Sequence, residues 1–145
     1  MPGAITVTSG TCVMLLGTFL PWLRSGARNR SSYTIFDLVE RLGFAPGGVV
    51  AWSLRLWPLV PLALVTVTVA AWAVVADHLR WGVAAVAAAV TVGWVGGTAA
   101  ALFFAPDIGL FRVGAGPTLT LAGSALVGVG AVMLRRRESG ASAAS

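Results

Sequence analysis

Four long apolar stretches interrupt this chain of 145 residues, and all ten of its cationic residues, every one an arginine, lie in the gaps between them or close to their ends. The stretches run at about Ile5 to Leu23, Leu56 to Ala76, Gly82 to Ala105 and Pro117 to Leu134. Each is near the ~20 residues that a helix needs to cross ~30 Å of hydrocarbon. The pattern predicts an all-α membrane protein, with four transmembrane helices in an up-down bundle and a short interfacial helix in the first outer loop. The longest non-spanning segment, about residues 24–50, is too short to build a core of its own. A single domain over 1–137 and a disordered tail over 138–145 are therefore expected.

Composition supports that class. Hydrophobic residues make up 57% and charged residues 10% of the chain, against about a quarter charged in ordinary soluble proteins. The net charge of +5 does not point to nucleic acid, because the arginines are dispersed among membrane boundaries instead of forming one basic face with interleaved aromatics. Ala, Val and Gly dominate and Lys is absent, a bias expected of a GC-rich genome. The one cysteine, Cys12, excludes an internal disulfide and thiol-pair redox chemistry; it reads as a small buried hydrophobe. The first stretch has no basic residue before Arg24 and no A-x-A site after its apolar core, so it reads as an uncleaved helix.

Local signals refine the plan. Thr6, Thr8, Ser9, Thr11 and Gly17 in the first span are small or hydroxylated residues suited to close helix packing. Pro21 disfavours a helical Leu20 and should end that helix near the interface. The loop that follows carries Arg24, Arg28, Arg30 and Arg41, and Ile35, Phe36, Leu38, Val39 and Leu42 fall on one face of a helix over 35–42. Thr34 is its expected N-cap and Gly43 its C-cap. Gly93 and Gly97 share the G-x-x-x-G spacing, as do Ser124 and Gly128; such pairs let backbones approach closely in lipid. Contacts within the monomer are expected at both, with a homo-oligomer face as the alternative. The segment from Gly109 to Pro117 reads as a turn, with Pro117 starting the last helix.

An even number of spans places both termini on one side. A bare arginine count, six at the loop side and four at the terminal side, opposes the positive-inside bias. The triplet Arg135, Arg136 and Arg137 is nevertheless a strong stop signal. Cytoplasmic termini in the plasma membrane are therefore expected. Trp22, Trp52 and Trp57 then form part of an outer aromatic belt, while Trp94 lies near mid-membrane, where its N–H needs a partner on another helix.

Catalytic and cofactor chemistry is not foreseen. No ionisable residue lies near the centre of any span, where a proton-coupled transporter would place one. The small multidrug resistance transporters share the size and span count, but their first-helix carboxylate has no counterpart between Thr6 and Leu20. His78 beside Asp77 has too few companions for a metal site and reads as a solvated turn residue. The first loop is the place where binding competes with a purely solvated role. Arg24, Arg28, Arg30 and Arg41, close to Tyr33, suit lipid phosphates or an acidic partner surface; the alternative is pairing with their own Asp37 and Glu40.

The run Phe19-Leu20-Pro21-Trp22, followed by Ser25-Gly26, Arg28, Arg30 to Tyr33 and Leu38, with Leu54 to Leu62 and a Gly116-Pro117 helix ending in arginines, resembles small four-span membrane proteins common in actinobacteria. The resemblance implies membrane location and a GC-rich origin, and nothing catalytic. The general plan is also similar to that of claudins, without their paired loop cysteines or glycine-leucine-tryptophan motif. The expectation that follows is a non-enzymatic accessory or scaffolding subunit, in contact with the lipid bilayer and with a larger membrane protein or anionic lipid. The alternative is a small transporter or lipid-handling protein, its path lined by Trp94, the Gly93 to Gly97 seam and the loop arginines.

Overall fold

A computed structural model of the chain describes residues 1–25, 28–41, 52, 55–76, 78–103 and 111–142, some of them by backbone alone. It is mostly helical. The helices are α1 (Pro2–Phe19), α2 (Ser32–Arg41), α3 (Val60–Val75, entered through a 3-10 turn at Trp57–Leu59), α4 (Trp81–Phe103) and α5 (Ala115–Ser142). Four segments, Pro2–Phe19, Trp57–Val75, Trp81–Ala101 and Ala115–Arg136, are long and apolar enough to cross a membrane, with mean hydropathy from 1.3 to 2.1. Their outward faces are apolar too. Leu62, Val86 and Val90 are each 64% exposed, a distribution that water penalises and that lipid solvates.

The class all-α needs correcting. Three short strands, β1 (Pro21–Ser25), β2 (Arg28–Ser31) and β3 (Phe111–Val113), form an antiparallel sheet in the order β2-β1-β3. The segment expected as a turn after Gly109 thus contributes an edge strand. The first span is also shorter than its apolar run: α1 ends at Phe19 and Leu20 is extended (φ −71°, ψ 162°), because the ring of Pro21 excludes a helical residue before it. At the other terminus α5 continues to Ser142, so the expected disordered tail is helical over 138–142, prolonging the span through Arg135 to Glu138, which are good helix formers, and on over Ser139 and Gly140, which are not. The loop helix begins at Ser32, two residues before the expected cap. Thr34 lies inside its first turn, and Gly43 lies outside the described residues.

The first and last spanning helices pack most closely. Gly3, Gly10 and Gly17 of α1 recur every seven residues, as do Gly116, Gly123 and Gly130 of α5, a period that keeps each set on one stripe with only ~20° of drift per repeat. The stripes face each other antiparallel. A Cβ built on Gly10 would lie 2.8 Å from the Gly123 carbonyl oxygen, and one on Gly123 would lie 2.6 Å from that of Gly10. The same reciprocity joins Gly3 to Gly130, at 3.0 and 2.9 Å, and Gly17 to Gly116, at 3.0 and 2.9 Å. Lipid supplies no hydrophobic force between helices, so close backbone contact of this kind, with its Cα–H···O component of ~0.5–1 kcal/mol each, is what holds them.

The remaining seams are looser and partly polar. α3 meets α1 through Thr11 and Thr68, whose hydroxyls lie 2.8 Å apart, and Trp72 Nε1 donates to Thr8 Oγ1 at 3.1 Å. α4 meets α5 where a Cβ on Gly96 would lie 2.7 Å from Ser124 Oγ, and where Trp81 Nε1 donates to the Ala131 carbonyl at 2.9 Å. Ser124 is therefore a packing residue. Gly93, Gly97 and Gly128 are not: an added Cβ at each meets nothing within 4 Å. The expected intramolecular use of G-x-x-x-G is corrected, because Gly96, one residue from Gly97, is what α4 turns toward α5.

Candidate functional site

The end of α1 organises the region that carries the loop arginines. In a continuing helix the Gly17 carbonyl would accept from residue 21, but Pro21 has no N–H to give. The Trp22 indole takes that place, donating from Nε1 to the Gly17 carbonyl at 2.8 Å. The next carbonyl, that of Thr18, accepts from the Ser32 hydroxyl at 2.6 Å, and Ser32 Oγ in turn accepts from Trp57 Nε1 at 3.1 Å. These bonds satisfy helix-end carbonyls that would otherwise be orphaned. One buried serine thereby ties together the end of α1, the start of α2 and the approach to α3.

Aromatic rings fill the space around that relay. Trp22, Phe36 and Trp57 meet edge to face at centroid distances of 4.4 to 6.1 Å, and Trp94 adds its edge contact to Trp57 at 6.1 Å. Trp22 and Trp57 are buried, so neither belongs to an interfacial belt as expected. Trp52 is exposed. The expected partner for Trp94 is missing: its N–H, like the Tyr33 hydroxyl, is buried with no hydrogen-bond partner among the described residues. Tyr33 instead stacks on Phe19 with centroids 5.1 Å apart.

The sheet rests on this base. Across β1 and β2, Arg24 is the Cα partner of Asn29, Leu23 of Arg30 and Ser25 of Arg28. Across β1 and β3, Arg24 is directly opposite Arg112. The three strands thus carry four arginines and no acidic residue. Of the expected binding set, Arg24, Arg28 and Arg30 share one hairpin, but the register sets Arg24 on one face and Arg28 and Arg30, opposite Ser25 and Leu23, on the other; Tyr33 follows in the first turn of α2. Arg41 does not join them. It sits at the far end of α2 in an exposed pair with Asp37, Nε to Oδ2 3.0 Å, a contact of ~0.3–0.5 kcal/mol for this spacing. Neither Arg24 nor Arg30 has an ion pair among the described residues.

Two features escaped the sequence reading. Arg112 joins the arginine group only because β3 pairs with β1, and three residues bounded by glycines give no alternation to read. Cys12 was expected to be buried, yet it is exposed. It lines a groove of about 210 Å³ between α1 and α3, together with Thr8, Thr11, Leu15, Pro61 and Thr68. Along the bundle axis, by contrast, the space near the terminal end is a cavity of about 10 Å³ walled by Val7, Val67, Ala71, Ala84 and Leu134. Trp94 is turned inward and Gly93 and Gly97 outward, so these residues do not line one path.

Fold and outward faces together define a mostly helical protein with four helices suited to crossing a membrane, as a multi-pass membrane protein requires. No family model, no curated protein and no solved structure matches this chain.

Proposed function

We propose that the protein is a non-enzymatic accessory or scaffolding subunit of a membrane complex. In this reading it is multi-pass in the plasma membrane, its spans alternate up and down, its termini are cytoplasmic and α2 lies along the outer interface. The observation that carries the reading is the outer face of α4. Gly82, Val86, Val90, Gly93 and Gly97 share one side of the helix and are all exposed, giving a shallow apolar stripe against which a second helix can pack closely. The small size of the cavity among the four helices beside Val7, Ala84 and Leu134, about 10 Å³, agrees with a structural role.

Affinity purification from native membranes in mild detergent tests it. A larger membrane protein should co-purify in fixed stoichiometry, and Gly93→Leu with Gly97→Leu should release it while leaving the thermal stability of the isolated chain unchanged. Recovery of a clean monomer or homodimer would overturn the proposal.

A further inference from the structure

We propose that the terminal end of the bundle is a docking surface for the headgroups of anionic phospholipids, built from Arg80, Arg135 and Arg136. These residues come from opposite parts of the chain and share one membrane level: Arg80 immediately precedes the span Trp81–Ala101, and Arg135 and Arg136 close the span Ala115–Arg136. Trp81 joins the two borders. Its Nε1 donates to the Ala131 carbonyl of α5 at 2.9 Å, and the Arg135 guanidinium, one turn further along α5, lies 5.5 Å from the centre of its ring. A tryptophan at a span border suits the headgroup level, and a guanidinium held over its face stays at that level with it. Arg80, Arg135 and Arg136 are all exposed.

Charge selects the occupant. The connection after Val75 and the end of α5 carry four arginines, Arg80, Arg135, Arg136 and Arg137, and two acids, Asp77 and Glu138. A surplus of two positive charges therefore remains whichever of these residues pair with one another. The other three acids belong to the sheet end, Asp37 and Glu40 to α2 and Asp107 to the connection between α4 and β3. A positive surplus at a span border attracts anionic lipids, and its field decays within a Debye length of ~8 Å at physiological salt. Headgroups of the adjacent leaflet lie within that reach. The attraction acts on charge and not on one fixed hydrogen-bond geometry, since the arginines stand on two separate elements. The inference rests on the membrane-spanning fold and not on a protein partner at α4, so the two proposals fail separately.

The test uses the full chain in phosphatidylcholine bilayers, with a bimane fluorophore on His78→Cys in a Cys12→Ser background. His78 is exposed in the connection that leads to Arg80. Quenching at low salt is compared between phosphatidylglycerol and phosphatidylcholine that carry the same nitroxide near the headgroup. Phosphatidylglycerol should be enriched at the label roughly fivefold over phosphatidylcholine, and about 1 M salt should remove the preference. Arg80→Gln with Arg136→Gln should bring the two lipids towards equality, whereas Arg80→Lys with Arg136→Lys keeps the charge and should keep the preference. Should the Gln pair not fold, Arg80→Gln and Arg136→Gln are read singly, each lowering the preference. Inorganic phosphate at matched ionic strength should displace no lipid. Equal quenching by the two lipids at low salt, a preference that survives the Gln substitutions or is lost in the Lys pair, or displacement by inorganic phosphate would overturn the assignment.

Discussion

Ser32 shows how much of this structure depends on single polar atoms in apolar surroundings. Its hydroxyl donates to the Thr18 carbonyl and accepts from the Trp57 indole, so Ser32→Ala strips partners from two buried groups at once. Each buried group left unsatisfied costs about 1–3 kcal/mol, and thermal unfolding in detergent should show a clear loss. Ser31→Ala, whose hydroxyl makes only an exposed contact with Thr34, should stay within about 0.5 kcal/mol of the parent. Buried Trp57 and half-buried Trp94 give a paired comparison in the same assay. Trp57→Phe removes the donor to Ser32, whereas Trp94→Phe removes an N–H that has no partner, so Trp94→Phe should be the milder of the two. The sequence shows tryptophans at span ends and so suggests a lipid-facing belt. It also shows Pro21, but not that the lost donor would be replaced by an indole, since that requires knowing how the chain turns back.

At the scale of elements, hydropathy made the four spans legible because lipid imposes length and polarity on each span independently of its neighbours. Pairings were less legible. Gly93 and Gly97 matched a known spacing and face outward, while the glycines that matter between α1 and α5 repeat every seven residues and acquire meaning only once the first and last spans are known to be neighbours. The sheet was missed for a related reason: strands rich in arginine and bounded by glycine carry no alternation of apolar residues. The seam makes a direct prediction. Gly10→Ala pushes a methyl to within 2.8 Å of the Gly123 carbonyl and should cost about 1–3 kcal/mol by overpacking. Gly93→Ala meets open space and should be neutral or up to ~1 kcal/mol stabilising through helix propensity. Unfolding midpoints of the two variants, measured side by side in detergent, check the contrast.

For the whole molecule, the tight α1–α5 seam joins the two ends of the chain, and the looser α1–α3 seam leaves a groove open at the side. The arginine-bearing sheet occupies one end of the bundle. At the other, the Arg135 guanidinium lies 5.5 Å from the centre of the Trp81 ring. The order of helices, the sheet and the outward stripe of α4 all depend on α1 and α5 being antiparallel neighbours in the registered position. Disulfide trapping in native membranes tests this most directly. Thr6 Oγ1 lies 3.8 Å from Met133 Sδ, so in a Cys12→Ser background Thr6→Cys with Met133→Cys should form an intramolecular disulfide on mild oxidation. Thr6→Cys with Leu119→Cys, the pair that parallel packing of the same glycine stripes would bring together, should not. Trapping of the Thr6 and Leu119 pair in place of the Thr6 and Met133 pair would contradict the antiparallel seam and the bundle built on it.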